Sequence, residues 1–97
     1  MNGGSIMPQQ YVDVDFRFEK TERGRRYGTR DSVRLPRVRG RTAQSYVTDA
    51  LSFRLAGCPS LTLWDIVSVT IAGSAAPQVV IDRARDWMRK NKTPEAL

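Results

Sequence analysis

The chain of 97 residues has no histidine and one cysteine, Cys58. The missing imidazole excludes the usual general base, the Cys–His pair and the Ser–His–Asp triad. Ser and Thr are plentiful, but without a base none is an attractive nucleophile. One cysteine excludes an intrachain disulfide. With no histidine beside it, a zinc site built from Cys and His of one chain is excluded too. No acidic cluster recommends a Mg²⁺ site, so neither a metal nor another cofactor is expected. The composition gives no reason to expect an enzyme.

No apolar run approaches the roughly 20 residues of a membrane span. The opening residues, Met1 to Gln10, have no charged leader region and no apolar core, so they do not read as a secretory signal. Gly3, Gly4, Ser5, Pro8, Gln9 and Gln10 make 1–10 read as a flexible lead-in, and Met7 is an alternative start or a junction. A lone thiol suits a reducing compartment, and a cytoplasmic location is the expectation. Lysine is scarce as well, with Lys20, Lys90 and Lys92 the full set.

What the chain has is arginine, unevenly placed. Between Lys20 and Arg41 lie nine basic residues: Lys20, Arg23, Arg25, Arg26, Arg30, Arg34, Arg37, Arg39 and Arg41. Only Glu22 and Asp31 oppose them, so this segment carries +7 while the whole chain carries +6. The remainder is therefore close to neutral. General arginine enrichment, with the segment a solvated loop, would not leave the rest of the chain balanced. A concentrated cationic segment attracts polyanions, at a rate that falls with salt.

The hydrophobic pattern predicts one α+β domain over 11–93, with 94–97 as a tail. Val12, Val14, Phe16 and Phe18 alternate with Asp13, Asp15, Arg17 and Glu19. Period two is the mark of a strand with one dry and one wet face. Residues 20–31 have no periodicity and carry Gly24 and Gly28, which reads as a hairpin loop with extended arms. A second strand is expected over Ser32 to Val38, with Pro36 placing it at a sheet edge. Tyr46, Val47, Ala50, Leu51, Arg54 and Leu55 recur at helical spacing. Thr42 suits the N-cap, and Gly57 the left-handed residue after the helix.

Leu61 to Ala72 is rich in β-branched residues and apolar on both faces. It reads as a central strand over Ile66 to Ile71, with a helix as the competing reading. Ser74 is expected to cap a second helix, lined by Val80, Ile81, Ala84, Trp87 and Met88 and ended by Thr93-Pro94. The expected order is β-β-α-β-α. It forms a three-stranded mixed sheet with strands two and three parallel and two helices on one face. The other face, Asp13, Asp15, Arg17 and Glu19, is mixed in sign and poor in aromatics. Such a face is a weak platform for stacked bases.

The expected function is nucleic-acid binding, DNA or RNA, through an Arg-rich hairpin over 20–41. Arginine offers phosphate a planar fork and can stack on bases. Arg23, Arg25, Arg26, Arg30 and Arg34 are the expected phosphate contacts, with Arg37, Arg39 and Arg41 in support. Tyr27 supplies a stacking ring among them. A two-stranded ribbon is also narrow enough for a DNA major groove. No KH clamp, RNP1 string, zinc-finger spacing or helix-turn-helix accompanies the charge.

The rival reading is a small inhibitor, adaptor or assembly subunit whose cationic loop docks on an acidic protein surface. Trp64 and Trp87 read as core residues, and Cys58 as a structural thiol. An uncovered edge strand makes a homodimer through that edge an expectation.

Overall fold

The computed structural model describes residues 10–91. It contains four strands and two helices. These are β1 (Tyr11–Glu22), β2 (Arg25–Pro36), α1 (Ala43–Gly57), β3 (Asp65–Ile71), β4 (Ser74–Ala75) and α2 (Gln78–Lys90), with a 3-10 turn at Pro59–Leu63. The strands form one antiparallel sheet in the order β2-β1-β3-β4. The expected α+β class holds. The expected three-stranded mixed sheet does not, because a fourth strand is present and every paired neighbour is antiparallel. β2 and β3 do run the same way, but β1 lies between them.

The alternation in β1 explains its central place. Val12, Val14, Phe16 and Phe18 are all buried, and Phe18 is fully so. The rings of Phe16 and Phe18 stack with centroids 5.5 Å apart. From the neighbouring strands, Val33, Leu35, Ile66 and Val69 face the same core. α1 adds Tyr46, Val47, Ala50 and Leu51, and α2 adds Val80, Ile81, Ala84 and Met88. The two helices thus cover one sheet face and leave the other to solvent.

β3 is an inner strand between β1 and β4, as its apolar sequence suggested, but only Ile66 and Val69 of it are buried. The ladder pairs Arg17 with Ser68 and Phe18 with Ile66, so Val67 is the extra residue of a bulge. The bulge lets Ile66 and Val69, three apart, both point at the helices. Leu61 to Leu63, the first part of the apolar run, belong to the 3-10 turn, where Leu61 is buried.

The helix ends also differ in part from expectation. Thr42 caps α1, its side chain accepting from the Ser45 amide at 3.1 Å. Gly57 is the last helical residue, and the left-handed conformation is not found there. Ser74 does not cap α2. It pairs with Ile71 in β4, and Pro77 precedes the helix with no side-chain cap. Ala72 and Gly73 both take positive φ, 51° and 83°, which turns the chain back tightly enough for β4 to form. Thr93-Pro94, the tail and the lead-in before Gln10 lie outside the described residues.

Residues 20–31 form the expected hairpin, but its extended arms take nearly all of the segment: β1 and β2 pair without interruption from Tyr11↔Pro36 to Glu22↔Arg25. Only Arg23 and Gly24 lie in the turn, with φ of 53° and 76°. Two residues at positive φ make the turn whose twist matches a β-ribbon. No hydrophobic period marks the outer arms because no helix covers them, so backbone pairing and turn geometry alone shape them. The long axis of the molecule reaches 57 Å.

Phe18→Ala is expected to cost about 3–5 kcal/mol, the range for emptying a large buried aromatic site. Gly24→Ala should cost about 1–2 kcal/mol, because it places a Cβ in the left-handed region. Urea unfolding curves of the two variants check both size and order.

Candidate nucleic-acid interface

β3 follows β1 only as far as Glu19. Beyond that point β1 and β2 continue as a two-stranded ribbon, and every residue from Thr21 to Arg30 is exposed. The register assigns each side chain to a face. The open face, continuous with the uncovered side of the sheet, carries Arg17, Glu19 and Thr21 on β1. It carries Arg26, Gly28 and Arg30 on β2. The helix-facing side carries Lys20, Glu22, Arg25 and Tyr27, and Arg23 sits in the turn.

On the open face Arg17 lies directly across from Arg30. Like charges so placed oppose pairing of the strands. Glu19 relieves part of the repulsion, with its carboxylate 3.6 Å from Arg17 and 3.9 Å from Arg26. Arg23, Arg25, Arg30 and Arg39 form no ion pair with a carboxylate among the described residues. The tip therefore presents guanidinium groups whose donors are not used by the protein.

Other expected site residues are committed elsewhere. Arg34 makes a two-pronged contact with Asp13, at 2.9 and 3.3 Å. The Arg34 hydrogen bonds hold the Asp13 carboxyl below its ordinary range, and the same contact raises the Arg34 value. Arg41 contacts Asp49, donates to the Ser45 hydroxyl at 2.8 Å and stacks 4.8 Å from the centre of the Tyr46 ring. It ties the loop to α1. Lys20 pairs with Glu22 at 3.8 Å and lies 4.8 Å from the centre of the Trp64 ring. Arg37 and Arg39 sit in the loop between β2 and α1, lining a shallow hollow with Gly40, Arg41 and Tyr46.

Tyr27 is 40% exposed on the helix-facing side. Arg17 is the residue that charge counting missed, since it lies outside the dense cationic segment. Only the register of a two-residue turn at Arg23-Gly24 reveals that it joins Arg30. Both tryptophans pack against the core yet remain half-buried, so the expectation of core residues holds in part.

No group of three or more metal-ligating side chains occurs among the described residues. No helix there is long and apolar enough to cross a membrane. The chain matches no family model, no curated protein and no solved structure.

Two outcomes follow from these charges. Arg30→Thr should raise the urea midpoint slightly at low salt, and the gain should fade as salt screens the Arg17 contact. Arg34→Ala should lose stability at neutral pH relative to the parent. A depressed carboxylate stabilises above its unfolded pKa, and the benefit is lost as pH falls through the folded value. The two proteins should therefore converge in acid, as unfolding curves across a pH series would record.

Proposed function

We propose that the protein binds nucleic acid through the outer half of the β1–β2 ribbon, without catalysing a reaction. The observation that carries this reading is the crowding of guanidinium groups on a projecting, exposed ribbon, where Arg23, Arg25 and Arg30 have no carboxylate partner among the described residues and Arg17 and Arg26 share Glu19. Arg23 and Arg25 stand at the tip, Arg26 and Arg30 on the open face, and Arg17 is across from Arg30. A fold selected for stability alone gains nothing from setting two arginines opposite each other. A phosphate between them turns that repulsion into a pair of charge-assisted contacts. Arg34 and Arg41 are omitted from the contact set because each is held by a carboxylate of its own in a hydrogen-bonded contact, whereas Arg17 and Arg26 share Glu19 at 3.6 and 3.9 Å. Arg37 and Arg39 stay as supporting cations near the root.

Self-pairing along β2 is not part of this reading. An antiparallel match of two β2 edges with faces aligned would bring one arginine-bearing face alongside another. Charged edge strands of this kind discourage such contacts.

Neutralising about five phosphates gives log K a slope of about −4 against log salt. Arg25→Ala combined with Arg26→Ala should reduce the slope by about 2 and weaken binding to every sequence alike. Glu19→Gln, which frees Arg17 and Arg26 from their shared carboxylate, should tighten binding. Anisotropy titrations over a salt series measure all three. Salt-independent binding would remove the proposal. Protein partners that survive nuclease treatment would replace it with docking on an acidic protein surface.

A further inference from the structure

At the root of the ribbon a cavity of about 280 Å³ opens between the β3 approach and α2. Trp64, Leu63, Thr62, Asp65, Arg85 and Arg89 are among its walls. Trp64 packs against the core and stays half-buried. Lys20 lies 4.8 Å from the centre of that ring, and in the ladder Lys20 is paired with Tyr27. An aromatic ring, an ammonium and a second aromatic ring thus run in a row from the ribbon to the cavity.

The walls differ from a plain phosphate site. Asp65 is an exposed acceptor suited to the amino group of a base, and would repel a phosphate. Arg85 is fixed by donation from Nε to the Ile66 carbonyl at 2.9 Å and pairs with Asp82 at 3.4 Å, and Arg89 is held by Asp86 at 2.8 Å. Each guanidinium keeps further donors for an anion at the rim. A stacking ring, an acceptor and rim cations together match one nucleotide: base inside, phosphate outside.

We propose that this cavity takes an unstacked nucleobase against Trp64, so that the partner of the ribbon is a single strand. The inference rests on the nucleic-acid reading above and narrows it. A base within a duplex is stacked on both faces and paired along its edge, so it cannot reach Trp64 without being extruded. An unpaired strand pays no such cost. Its backbone follows the cations of the ribbon while one base turns into the cavity.

The test compares three labelled probes of equal length by anisotropy: a homopolymeric single strand, the same backbone without bases, and a duplex. The parent protein should bind the base-bearing strand about ten-fold or more tighter than the abasic one, the scale of one base–aromatic stack. Trp64→Ala should erase that preference and leave abasic and duplex binding unchanged, while Trp64→Phe should retain part of it. Equal binding of base-bearing and abasic strands by the parent would overturn the inference, and this comparison needs no variant to fold. A preference that survives Trp64→Ala, or a tighter grip on duplex, would overturn it as well. If abasic strands bind with the expected salt slope but bases add nothing, only the cavity assignment fails. If no probe binds, the ribbon reading fails with it.

Discussion

The two-residue turn at Arg23-Gly24 governs the register of the whole hairpin, because β1 and β2 pair without a slip from that turn to Pro36. Side chains alternate with a period of two, so a shift of one residue would flip every one of them to the opposite face. Val33 and Leu35 would then leave the core that Val14, Phe16 and Phe18 define. The hydrophobic root and the positive-φ turn impose the same register from opposite ends. That agreement lets the outer arms, which bury nothing, remain ordered strands.

The same constraint produces the electrostatics. Once the ladder is set, Arg17 must stand beside Arg30, Asp13 beside Arg34, and Lys20 beside Tyr27. The first pairing is repulsive, the second a two-pronged ion pair, and the third begins a path to Trp64. Near the root, carboxylates engage the arginines and the helices cover one face. Toward the tip no helix covers the ribbon, Arg23, Arg25 and Arg30 have no carboxylate partner among the described residues, and charge accumulates on both faces. This gradient from root to tip is what the proposed interaction rests on. It also sets the two faces apart: guanidinium pairs on the open side, mixed aromatic and cationic groups on the side that leads to α2.

Burial explains which elements were legible. β1 alternates cleanly because β2 and β3 flank it and helices cover one face, so its period is written in the residues. α1 and α2 carry apolar stripes for the same reason. The outer arms of the ribbon bury no side chains, so composition made them look like loop. β3 lies inside the sheet as its composition suggested, but its bulge at Val67 places Ile66 and Val69 on one face at a spacing of three, so no period of two marks which residues are buried. β4 is two residues long, too short for any period, and it depends on the tight turn at Ala72-Gly73.

Sequence alone determined the chemistry that is excluded, the concentration of cations between Lys20 and Arg41, and the dry face of β1. Those properties belong to residue types and local spacing, which need no folding to be read. Only tertiary structure decided which cations remain available, because that depends on partners far along the chain: Asp13 for Arg34, Asp49 for Arg41, Glu19 for Arg17 and Arg26. Tertiary structure also brought Lys20 to Trp64 across 44 positions of sequence. A ladder register and a packed helix create such neighbours, and neither is encoded in any short stretch of residues.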